Sequence, residues 1–113
     1  MHELSIMTHL LEQVETEAER AGARAVRGID LVIGERVGVI DDSLRFCFEL
    51  LSAGTIADGA TLHVRKVPTR FRCAAHGSYG RTGDDFACPS CGRVGNVTEQ
   101  GSELLIESME IER

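Results

Sequence analysis

Apolar residues recur at helical spacing near the start of the chain. Leu4, Met7, Leu11, Val14 and Ala18 follow steps of 3, 4, 3 and 4, with Ile6 and Leu10 widening the stripe. This predicts a helix over residues 3–21, its glutamates mainly on the solvated face and Gly22 as its stop. Period-two alternation follows: Ile29, Leu31 and Ile33 alternate with Gly28, Asp30 and Val32, predicting a strand over 25–33. Gly34 and Gly38 bracket a loop. Leu44, Cys47, Phe48 and Leu51 share one face of a second helix over 43–53, which Asp42 or Ser43 can cap and Gly54 can end. Leu62 and Val64 mark a strand over 61–67 that Pro68 terminates, and residues 103–112 return to strand. There Leu104 and Ile106 take one parity and Met109 and Ile111 the other, as a bulge near Glu107–Ser108 would produce.

Residues 69–97 break the pattern. They hold Gly77, Gly80, Gly83, Gly92 and Gly95, three of the four cysteines and few aliphatics, so they read as a metal loop that cannot build a core alone. The order helix, strand, helix, strand, metal loop, strand predicts an α+β fold. In it, a small three-stranded sheet carries both helices on one face and a zinc-ribbon-like subdomain is inserted before the last strand. The expected division is a discontinuous domain of residues 1–68 and 98–113 and a zinc subdomain of residues 69–97.

Composition narrows the function. At 113 residues and 42 % hydrophobic, the chain should fold around a core of Leu, Ile and Val, since aromatics make up only 4 %. A formal charge of −6 opposes nucleic acid as the main partner. A local basic strip remains in His63 to Arg72, which holds Arg65, Lys66, Arg70 and Arg72 and no acid. No apolar run is long enough to span a membrane, and the acidic start is unlike a secretory signal, so a cytoplasmic location is expected. In a reducing compartment, clustered cysteines point to metal before disulfide.

Cys73-Ala-Ala-His76 and Cys88-Pro-Ser-Cys91 are separated by eleven residues. Each knuckle brings two side chains to one ion, and three thiolates with one imidazole suit tetrahedral zinc with no open position. His63 is the alternative fourth ligand to His76. A thioredoxin-like use of Cys88 and Cys91 would need a helix after the motif, and no helical pattern follows. Cys47, on an apolar helix face, reads as a buried small hydrophobe. At the other end, the sequence Met1-His2-Glu3 offers a second site. The Met1 amine, the His2 backbone nitrogen and the His2 imidazole can close fused chelate rings, and the Glu3 backbone nitrogen can add a further ligand. Such a nitrogen-rich set suits Ni(II) or Cu(II) better than Zn(II).

These features occur together with Met1-His2-Glu3-Leu4-Ser5, Ile33-Gly34-Glu35-Arg36, Ser43-Leu44-Arg45-Phe46-Cys47-Phe48 and the closing strand from Gly101 to Ile111. Over essentially its full length the chain resembles the HypA/HybF family of hydrogenase maturation nickel metallochaperones. The resemblance implies nickel binding through Met1, His2 and Glu3, with Asp41 as the acidic residue near that site and Asp42 as the fallback. It implies structural Zn(II) at Cys73, His76, Cys88 and Cys91. His76 stands where the family usually has a fourth cysteine, which leaves the zinc complex one charge less negative.

The implied function is delivery of Ni(II), as transient cargo, to a [NiFe] hydrogenase precursor and in some organisms also support of urease. The implied partners are a GTPase accessory protein and the hydrogenase large-subunit precursor, with a homodimer as a further assembly; neither nucleic acid nor membrane is among them. No Ser/His/Asp set, His-Glu-x-x-His helix or phosphate loop is present, so an enzyme is not expected. The competing reading is a zinc-ribbon adaptor for protein or nucleic acid, which accounts for 69–97 and leaves the N-terminus unused.

Overall fold

The apolar stripe at the start of the chain becomes α1 (His2–Arg20), and the alternating segment becomes β1 (Ala25–Gly34). A single 3-10 turn (Glu35–Val37) leads to α2 (Asp41–Ser52) and β2 (Thr61–Val67). Three short strands follow, β3 (Arg70–Cys73), β4 (Gly77–Gly80) and β5 (Asn96–Val97), before β6 (Leu104–Glu112). This computed structural model describes residues 2–83 and 85–113. Among the described residues no helix is long and apolar enough to cross a membrane.

The chain divides into two compact units. The first comprises residues 1–32, 39–65 and 105–113 and contains both helices and most of a three-stranded sheet of order β2-β1-β6. Met7, Leu10, Leu11, Val14 and Ala18 of α1, Leu44, Cys47 and Phe48 of α2, and Val26, Ile29 and Leu31 of β1 are all buried, and the two helices pack against each other. Each large aliphatic removed from water contributes about 1.5–3 kcal/mol, so this face dominates the unit's stability. Leu4, placed by periodicity on the stripe, is 36 % exposed, and Leu10 is the residue that fills the core. The half-buried apolar positions of β6 are Ile106, Met109 and Ile111, which change parity as the sequence pattern does.

The start of α2 differs from expectation. The helix begins at Asp41 with Ile40 as N-cap, and neither Asp42 nor Ser43 supplies a side-chain cap. Instead the Glu3 carboxylate, from α1, accepts a hydrogen bond from Ile40 N at 3.3 Å, and Ser43 Oγ lies 3.5 Å from its other oxygen. Glu3 thus does from another helix what the third-turn-residue glutamate of a capping box does locally. That explains why an acid is buried at the head of an amphipathic helix.

The second unit comprises residues 33–38 and 66–104. The chain leaves the first sheet after β2 and returns to it as β6, so the cysteine-bearing segment is an insertion. The sequence reads 69–97 as loop, yet it forms a second sheet of order β4-β3-β5. In its β3–β4 hairpin, Phe71 faces Tyr79 and Cys73 faces Gly77. Phe71 and Tyr79 stack with ring centroids 5.5 Å apart, and Phe86 tilts against Phe71 at 5.8 Å. These aromatics supply the apolar contacts that the missing aliphatics do not.

Candidate metal centre

Two backbone turns build the centre. Cys73 ends β3, and Ala74, Ala75 and His76 make the turn into β4. The second knuckle is closed at its base, where Cys88 N donates to Arg93 O at 2.8 Å, and at its tip, where Gly92 N donates to Cys88 O at 2.8 Å. Gly92 has φ +76°, a conformation that a side chain would strain. Gly95 lets this arm lie against β3, since a Cβ there would meet Arg72 O at 2.4 Å. Tyr79 joins the two arms: its hydroxyl donates to Phe86 O at 2.7 Å and accepts from Gly95 N at 2.8 Å.

These turns bring Cys73, His76, Cys88 and Cys91 together, all four ligand atoms lying within 4.8 Å of one another. Cys73 Sγ is 3.6 Å from His76 Nδ1 and 3.7 Å from Cys91 Sγ, and Cys88 Sγ is 3.7 Å from His76 Nδ1. A disulfide would need sulfurs about 2.05 Å apart. Zinc bonds of about 2.3 Å to sulfur and about 2.0 Å to nitrogen give tetrahedron edges of roughly 3.5–3.8 Å, the range in which these three distances fall. The donors therefore fit a tetrahedral ion of that size. His63, the alternative fourth ligand, is exposed on β2 and outside the cluster. After Cys91 the chain passes to β5 rather than to a helix, so a thioredoxin-like arrangement is absent among the described residues.

The electrostatics favour a metal-binding thiolate. The hydrogen bond to His76, aided by the backbone N–H groups of Ala75 and His76, lowers the Cys73 thiol to a pKa of about 6. The Arg93 backbone N–H pulls Cys91 down, but partial desolvation of its sulfur and the neighbouring Cys73 and Cys88 sulfurs outweigh it and push that thiol up. Three thiols this close cannot all ionise without a cation among them, and a divalent ion removes the conflict. Cys73 and Cys88 are buried; His76 and Cys91 are exposed.

At the N-terminal candidate site, Met1 lies outside the described residues. His2 is exposed as the first residue of α1, with Nε2 3.5 Å from the Glu3 carboxylate. That carboxylate is held below its ordinary pKa, chiefly by the hydrogen bond from Ile40 N and its own backbone N–H, with smaller help from His2 and Ser43. Asp41 is the first residue of α2, next to the Ile40 amide that Glu3 holds. His9 is exposed beside Gln13, and Cys47 is buried in the core, as the pattern predicts. Sequence reasoning missed Tyr79 and Phe71. The signal was available: three of the chain's five aromatic residues fall in the segment read as loop.

Residues 1–111 match the family model described as hydrogenase/urease nickel incorporation, metallochaperone, HypA. The chain belongs to this family. Hydrogenase maturation factor HypA of Dehalococcoides mccartyi (strain CBDB1) is 44 % identical over 113 residues, covering 99 % of this chain and 95 % of the relative. The factor of the same name from Streptomyces avermitilis is 43 % identical over 112 residues, covering 96 % and 86 %. The fold is that of the HypA solution structures. The Ni metallochaperone HypA from Helicobacter pylori superposes with a TM-score of 0.68 at 22 % identity over 99 % of this chain and 98 % of that one. A second HypA solution structure gives 0.70 at 23 % identity over 98 % and 96 %.

Proposed function

We propose that this HypA-family chain carries Ni(II) as cargo at the head of α1 and delivers it to a [NiFe] hydrogenase precursor, with urease as a further recipient. A GTPase partner takes part in the hand-over, in the cytoplasm, and Cys73, His76, Cys88 and Cys91 hold a resident zinc. Supplied there, zinc would cross-link the two knuckles and fix the lobe. With four good donors it would keep no open position for hydrolysis, so the reading is a carrier and not an enzyme.

The observation that carries the reading is the anchored head of α1. The first four N–H groups of a helix have no acceptor within it, so the backbone nitrogens of His2 and Glu3 are not committed to the helix ladder. The His2 Nε2 faces the Glu3 carboxylate at 3.5 Å, which leaves Nδ1 to close a chelate ring with the His2 backbone nitrogen. A histidine that gives its second nitrogen to a carboxylate is the usual metal-binding arrangement. Glu3 is in turn held by Ile40 N and lies close to Ser43, which sets this end of α1 beside the start of α2 and its Asp41. With the Met1 amine, the donors are mostly nitrogen, which suits Ni(II).

The test is calorimetric titration of nickel into untagged, zinc-loaded protein with an authentic Met1, beside His2→Ala. The expected result is one exchangeable nickel that the variant does not bind while zinc content stays the same. Unchanged nickel affinity in His2→Ala with zinc retained would refute the ligand set.

A further inference from the structure

The four candidate zinc ligands do not account for all of the surface around them. A depression of about 470 Å³ opens over Cys73, His76 and Cys91 and extends along Arg72, Arg93, Val94, Gly95 and Asn96. One metal ion would fill only a small part of it.

The arginines of this depression differ from the others in the second unit. Arg36 donates to Thr98 O, Arg70 to Ser78 Oγ, and Arg81 pairs with Glu35. The exposed side chains of Arg72 and Arg93 have neither a carboxylate nor a hydrogen-bond acceptor among the described residues. Arg72 is also what remains of the basic strip: Arg65 pairs with Glu107. Charge is divided unevenly as well. The first unit has thirteen Asp and Glu against six Lys and Arg, whereas the second has five against six. Three thiolates around a divalent ion would leave one negative charge nearby, which two guanidinium groups outweigh.

The shape of the depression adds to the charge. Val94, 70 % exposed, gives it an apolar wall, and β5, which supplies Asn96, is one of the two edge strands of the order β4-β3-β5. An edge strand offers main-chain hydrogen bonds to an extended segment. Guanidinium forks match carboxylates in two-point contacts.

We propose that this depression is a docking site for an extended, acid-rich peptide segment of a partner protein. Arg72 and Arg93 grip carboxylates, Val94 packs against an intervening apolar side chain, and β5 sets the strand-like course. The inference rests on the metal-held lobe of the preceding section. Failure of that reading shows as protein that does not retain zinc; failure of this one shows as zinc-loaded protein that does not bind the peptide.

The experiment uses the full zinc-loaded chain and a short fluorescein-labelled peptide alternating Glu and Val, followed by anisotropy. Saturable binding that weakens with salt is expected, because exposed charge contacts are screened. The double substitution Arg72→Gln with Arg93→Gln removes charge-assisted contacts and should lower affinity about 10-fold or more, with zinc content unchanged. On the unsubstituted protein, NMR shifts on peptide addition should centre on Arg72, Val94 and Asn96, a readout that does not depend on the variant folding. No binding, equal binding of a Lys–Val peptide, shifts elsewhere, or preference for an RNA oligonucleotide would each overturn the proposal. So would a double variant that loses zinc while the peptide leaves the wild-type spectrum unmoved, since the arginines would then serve only to neutralise the thiolates.

Discussion

His76 is the residue that sets this candidate metal centre apart from a four-thiolate one. A neutral imidazole in place of a thiolate leaves the metal complex one charge less negative and gives the ion one nitrogen and three sulfur donors. His76→Cys is therefore expected to keep one zinc per chain with four sulfur neighbours in place of three in its X-ray absorption spectrum, and an unchanged spectrum would show that His76 is not a ligand. Tyr79 is the residue most easily overlooked. Its hydroxyl bridges Phe86 O and Gly95 N, so Tyr79→Phe leaves both without that partner while the ring stack with Phe71 remains. Loss of such buried bonds costs about 1–3 kcal/mol, and thermal melting of the zinc form should fall accordingly. The four clustered donors were legible because spacing within a knuckle is local chemistry. Tyr79 was not, because its value depends on carbonyl and amide groups seven and sixteen residues away.

Among the elements, both helices, β1, β2 and β6 follow from periodicity, and their ends agree with the pattern to within two residues. The cap of α2 did not follow. Its acceptor is Glu3, thirty-seven residues earlier, and no local capping pattern can reveal a cap brought by another helix. The small sheet was hidden for a different reason: its strands run four, four and two residues, too short for alternation to stand out. Joining β1 to β6 is a pairing equally invisible in sequence, where Glu112 engages both Arg24 and Arg27. These arginines, Arg27 foremost, hold the Glu112 carboxyl below its ordinary pKa of 4.5. A lowered folded-state pKa contributes stability above the unfolded value and loses it as pH falls through the folded one. Glu112→Gln should therefore melt slightly below wild type near neutral pH, and the two should converge in strong acid. A constant difference at every pH would show that the charge is not what matters. The effect is small because the pair is solvent-exposed.

On the scale of the whole molecule, the two units draw their stability from different sources. The first buries a stripe from α1, a face of α2 and the inner side of β1, including Met7, Leu10, Ile29 and Leu44 at 2 % exposure or less. Removing one such side chain, as in Leu44→Ala, should cost about 2–5 kcal/mol and be measurable in denaturant. The buried cluster around the candidate metal centre of the second unit is Phe71, Cys73, Tyr79 and Cys88, and two of those four are also candidate metal ligands. Taking the metal away would leave two aromatic rings, a few turns and thiols of conflicting ionisation, too little to offset the entropy of ordering its chain. A strong chelator should therefore unfold the second unit while the first stays folded. In hydrogen exchange, amides of β3, β4 and the 88–93 turn would lose protection, and those of α1 and α2 would keep it. Returning zinc should restore the lost protection. If chelation instead releases both units together, the insertion and the helical unit form one cooperative structure, and zinc supports the head of α1 as well as its own lobe.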